Sequence, residues 1–115
     1  MSSRLKSSIF VAAYIRRAEI EGGFAVLRHR GAEEAGAIFV KVDRLDGTAA
    51  LYGPAPQSLI TEDDGIRRFI LLTPEGTTPL DAETRLQREF RFDPDLWVIE
   101  AEDRQGRHFL DLAVE

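Results

Sequence analysis

The chain has 115 residues, 43% hydrophobic and 30% charged, with no cysteine and a net charge of −5. That is the size and balance of one folded domain, predicted to span residues 1–115. The composition excludes disulfides and thiolate metal sites, and its acidity argues against nucleic acid as a partner.

A first helix is predicted from Ser8 to Glu21, with Ser7 as N-cap and Gly22-Gly23 as the stop. Its middle, Ile9 to Ile15, is the longest apolar run in the chain. A membrane span needs roughly 20 apolar residues, so no membrane partner is expected. Arg16, Arg17 and Glu19 follow at once with no small-residue cleavage site, so the run is not read as a leader and the location is expected to be cytoplasmic. Phe10, Val11, Tyr14 and Ile15 fall opposite Ile9, Ala13 and Ile20 on the helix. One sheet face covers only one of these sides, so the other must meet the second helix, the C-terminal segment or another chain, and a homodimer or a protein partner is expected on this helix.

Three strands are predicted next, at Phe24 to Arg30, Gly36 to Asp43 and Thr48 to Tyr52. The second alternates Ile38, Val40 and Val42 against Phe39 and Lys41, and Asp46-Gly47 turns it into the third. The short connections favour an antiparallel meander. Gly53-Pro54-Ala55-Pro56 breaks the pattern, and an exposed acidic loop runs to Gly65. Arg67 to Leu72 is a fourth strand. A second helix starts at Pro79 with Thr78 as N-cap and ends near Phe90, before Asp93-Pro94. Leu96 to Ala101 is a fifth strand and Arg107 to Leu112 a sixth. The order α-β-β-β-β-α-β-β predicts an α+β fold: a mostly antiparallel sheet of about five or six strands with two helices.

Particular segments resemble the bacterial, largely alphaproteobacterial, domain-of-unknown-function family 1491. They are Arg4-Leu5-Lys6-Ser7, Ile15-Arg16-Arg17-Ala18, Val40-Lys41-Val42, Leu51-Tyr52-Gly53-Pro54-Ala55, Arg91-Phe92-Asp93-Pro94-Asp95-Leu96-Trp97 and Glu102-Asp103-Arg104. The resemblance covers nearly the whole chain. It implies a stand-alone bacterial domain and assigns no activity, so it carries over no catalytic residue.

The remaining candidates come from the residues themselves. An acidic cluster comprises Glu100, Glu102, Asp103 and Asp111; Glu100 and Glu102 alternate on a strand and share a face, and Asp111 approaches them if the last two strands pair. Three such carboxylates suit a hard cation, and two suit general acid/base work. Against this, surface carboxylates are commonplace, and Arg104 and Arg107 stand near enough in sequence to neutralise them. His29 and His108 lack ligand spacing and read as surface strand residues, so no metal is assigned. No nucleophile elbow, phosphate loop or cofactor motif is present, and no cofactor is assigned. Arg16 falls on the apolar stripe with Leu5, Ile9, Ala12, Ala13 and Ile20, as a structural ion-pair partner or an anion binder. Trp97 is either an interface anchor or a core residue under the second helix.

The charge divides unevenly as well. Residues 1–57 hold 8 basic and 6 acidic residues, a net of +2, and residues 58–115 hold 7 and 14, a net of −7. The leading expectation is a non-catalytic binding or interaction domain, self-associating or docked to a protein through Tyr14, Arg16 or Trp97. The alternative is a small metal-assisted or acid/base hydrolase using Glu100, Glu102 and Asp111.

Overall fold

The computed structural model of the chain describes residues 5–60 and 64–114. Arg4 of the first matching segment and residues 61–63 of the expected acidic loop lie outside them. Helix α1 is Ser7–Ile20, and strands β1, β2 and β3 are Phe24–His29, Ile38–Asp43 and Ala49–Pro54. A short 3-10 turn, Gln57–Leu59, leads to β4 (Phe69–Leu71), then α2 (Pro79–Phe92) and β5 (Trp97–Glu102). The fold is α+β, two helices on one five-stranded sheet of order β1-β5-β2-β3-β4. Every neighbouring pair is antiparallel except β2 and β5, which run parallel.

The expected meander is therefore interrupted, because β5 inserts between β1 and β2. Burial explains the order. Trp97, Val98 and Ile99 are buried on both faces, and such a run belongs in the middle of a sheet. Strand β1, which carries Arg28 among its apolar residues, takes the edge, where a charge stays wet.

Helix α1 covers one face. Its Val11, Tyr14 and Ala18 pack on Ile38, Val40, Val42, Tyr52, Trp97 and Ile99. Helix α2 covers part of the other, where Leu86 meets Phe39, Leu51, Leu96 and Val98. Thr78 caps α2 as expected, its side chain accepting from the Asp81 N–H at 3.1 Å. Ser7 does not cap α1. It is the first helical residue, and its buried hydroxyl donates to the Gly36 carbonyl at 2.7 Å, fastening the helix to the loop before β2.

The expected sixth strand is not a ladder. After β5 the chain crosses the α1 face as a strap. The Tyr14 hydroxyl donates to the His108 carbonyl at 2.7 Å, and the Phe109 ring stands edge-on to Tyr14 at 6.3 Å. Phe109 adopts φ 57, which interrupts the extension that a ladder requires. The strap then makes a single parallel bridge, Phe69 to Leu112, on the far side of β4. Sheet and strap together cover the Phe10, Val11, Tyr14 and Ile15 side of α1, leaving Ile9, Ala13 and Ile20 outward.

Among the described residues, no helix is long and apolar enough to cross a membrane.

Candidate functional site

The sheet face under α2 is only half covered. Registers place Val26, Glu100 and Lys41 side by side on β1, β5 and β2, and Phe24, Glu102 and Asp43 in the next row. These rows lie past the apolar contacts of α2 and line a shallow depression of about 140 Å³. Phe24 is 52% exposed and Val26 41%.

One end of the depression is closed by charge. Arg28 grips Glu83 of α2 with both terminal nitrogens and lies 3.5 Å from Glu100. Lys41 reaches Glu83 at 3.1 Å and Glu100 at 3.4 Å. The Arg28 guanidinium, helped by Gln87 and Lys41, holds the Glu83 carboxyl down at about 2 despite partial burial. Two cations and two carboxylates thus tie α2 to the sheet. Glu100 is neutralised here, by Arg28 and Lys41 rather than by the expected Arg104 and Arg107. Arg107 instead binds Asp103, whose carboxyl it holds at about 2.

Glu100 and Glu102 do share a face, as their alternation requires. Asp111 lies elsewhere. Its carbonyl accepts from Phe69 N at 2.9 Å, beyond β4, and β2, β3 and β4 separate it from β5. At about 4.8 Å per strand spacing that is well over 10 Å from Glu100. No group of three or more potential metal ligands forms among the described residues.

Both histidines are half-buried. His29 meets the Leu96 carbonyl through Nδ1 at 2.8 Å, and its ring stands edge-on to Phe90. His108 packs on Tyr52, and its Nδ1 accepts from Leu110 N at 2.9 Å; burial lowers its pKa. Arg16 is exposed and makes no ion pair among the described residues, whereas its neighbour Arg17 pairs with Glu21. Tyr14 is 4% exposed and Trp97 is 1% exposed, so neither ring offers a surface. Trp97 belongs to the α1 face, not beneath α2, and donates from Nε1 to the Ala32 carbonyl at 2.7 Å.

The β1 edge is a feature that sequence reading missed. On β5, Trp97 N donates to Ala37 O and Asp103 N to Asp43 O, so odd-numbered residues turn their N–H groups toward β2. The even-numbered residues Glu100 and Glu102 therefore face β1, opposite Val26 and Phe24. Ala25 and Leu27 in between turn their N–H and C=O outward, to an edge where no further strand of the described residues lies. A bulge between Leu27 and His29 ends this open stretch. The available signal was the alternation Phe24, Val26, Arg28, which puts two large apolar groups and a cation on a face that a central strand would bury.

The family profile that matches is described as "Protein of unknown function (DUF1491)", over residues 5–111. Among solved structures, a protein from A. tumefaciens, determined in solution, is 45% identical, with a TM-score of 0.83 over 97% of each chain. The crystal structure of a DUF1491 family protein from Caulobacter crescentus is 43% identical, with a TM-score of 0.78 over 96% of this chain and 97% of that one. An NMR structure of a DUF1491 family protein from Caulobacter crescentus is 44% identical, with a TM-score of 0.77 over 99% of each. No curated protein matches the chain.

Proposed function

Since the chain belongs to the DUF1491 family of proteins of unknown function, we propose its role from its surface: a non-catalytic interaction domain that engages a partner protein along β1. The observation that carries the reading is the open β1 edge, where the outward backbone groups of Ala25 and Leu27 adjoin the exposed side chains of Phe24 and Val26. An added strand takes main-chain hydrogen bonds from such an edge and specificity from alternate side chains. The row of Glu102 and Asp43 beside Phe24 favours a basic residue at that level of the partner. The carboxylates support the hydrolase reading less well, because Glu100 is engaged by two cations and Asp111 is remote. A cysteine-free chain suits the cytoplasm, where the reading places it.

Capture from an alphaproteobacterial extract tests this. The wild-type chain should retain a protein that Val26→Lys loses and Leu80→Lys, altered at an exposed position of α2, keeps. Capture of nothing by a wild type that also stays monomeric, or equal capture by all three, would refute the reading.

A further inference from the structure

We propose that the partner on β1 is a second copy of this chain, paired antiparallel about a two-fold axis at Val26, so that two five-stranded sheets become one. This names the partner of the edge assigned above and rests on that assignment.

Parity selects the register. Ala25 and Leu27 carry the outward backbone groups, so a symmetric pair must set outward residues against outward residues. An axis between two adjacent residues would oppose outward to inward groups and is excluded. An axis at Ala25 would set Leu27 against Gly23, and one at Leu27 would set Ala25 against His29, past the bulge. An axis at Val26 opposes Ala25 to Leu27 of the second copy twice, and each such pair exchanges two hydrogen bonds.

The side chains agree with that register. Val26 meets Val26, and Phe24 meets Arg28 of the second copy at both ends. The terminal nitrogens of Arg28 are held by Glu83, which leaves the flat guanidinium free to stack on a ring. Glu102 flanks Phe24 in the same row and supplies a negative neighbour for the incoming cation. Aromatic, apolar and cationic positions on one strand are thus self-complementary under a single rotation. Because the bulge before His29 keeps the pair to the short stretch Phe24–Arg28, the dimer is expected to be concentration-dependent rather than obligate.

The absence of native cysteine makes the test direct. Opposed residues at a non-hydrogen-bonded position have Cα atoms about 4.5 Å apart, within the disulfide range. Val26→Cys should therefore oxidise to a covalent dimer, while Leu80→Cys under the same conditions stays monomeric. Sedimentation of the wild type should show a mass rising above 12.9 kDa with concentration. Val26→Lys should lose that rise with its circular dichroism unchanged; if that variant misfolds, the cysteine pair alone decides. A wild type that stays monomeric at the highest soluble concentration overturns the proposal, and so does Val26→Cys cross-linking no faster than Leu80→Cys. If the wild type is monomeric but Val26→Lys still loses a captured protein, only the identity of the partner falls. If capture is also insensitive to Val26, the interaction reading falls with it.

Discussion

Replacing Tyr14 separates the two roles that an over-apolar first helix can have. Its ring is buried between α1 and the strap, edge-on to Phe109, and its hydroxyl donates to the His108 carbonyl at 2.7 Å. Tyr14→Phe keeps the ring and orphans a half-buried carbonyl, a loss of about 1 kcal/mol at the low end for an unmade bond. In a chain of this size that lowers the melting temperature by about 4 °C. Tyr14→Glu is a different perturbation. It places a carboxylate in the core near Asp103, already ionised and held low by Arg107. An unpaired buried charge costs several kcal/mol, comparable with the whole stability of a small domain. The expected result is a modest shift in urea midpoint for the phenylalanine variant and an unfolded glutamate variant, both read from Trp97 fluorescence. Exchange of the Ala113 amide, which the strap holds on Phe69, should quicken in the first. A folded Tyr14→Glu chain with a wild-type midpoint would refute the placement of Tyr14 in the core and return the inner side of α1 to the surface.

Gly31→Ala should cost about 3 kcal/mol or more by urea denaturation, because its Cβ would lie 2.1 Å from the Asp95 carbonyl oxygen, a backbone atom that no rotamer change can move. Gly47→Ala, with open space around it and φ 89, should cost only about 1 kcal/mol; equal losses would contradict the close approach. Stability should fall with acid in two stages. His108 resists protonation in the folded chain, so stability declines as the pH drops below its ordinary 6.5. Glu83 and Asp103 are held at about 2, so their contribution is complete above 4.5 and 3.8 and is lost as the pH falls from there toward 2. A urea midpoint that stays flat from neutral pH through the carboxylate range would refute both causes, and Glu83→Gln should flatten the lower stage. Unfolding followed by circular dichroism and by Trp97 fluorescence should coincide if residues 1–115 form one cooperative unit, whereas separated transitions would divide it.

Elements that depend on neighbouring residues were readable in the sequence. Pro79 after Thr78 fixed the start of α2, and the alternation of Ile38, Val40 and Val42 fixed β2. Strand order was not readable, because no local signal says that β5 leaves the residues after α2 to lie between β1 and β2. Gly53-Pro54 looked like a breaker, yet β3 runs through it. Gly53 is needed there because Phe39 and Leu72 approach to 2.8 Å of where a Cβ would stand, and that is knowledge of distant residues. The same limit applies to the site. Alternation correctly placed Glu100 and Glu102 on one face, but their cations came from β1 and β2 rather than from the nearby Arg104 and Arg107. Asp111 would approach them only if a sixth strand folded back along the fifth, and residues 111–113 instead run beside Phe69 of β4.

The central position of β5 has a consequence for how the molecule is made. It is the last of the five strands to be synthesised, yet β1 has no other partner in the sheet, and β2 needs β5 to complete its second side. While the first 96 residues emerge, β2, β3 and β4 can form only a small three-stranded piece, and β1 waits unpaired beside α1. Nearly every stabilising closure, β1 on β5, β2 on β5 and the strap over α1, joins residues far apart in sequence. Such a topology folds slowly and only once β5 has been made, with its aggregation-prone edges exposed in the interval. A chain stopped before Trp97 should accordingly be degraded or precipitate rather than persist as a smaller domain.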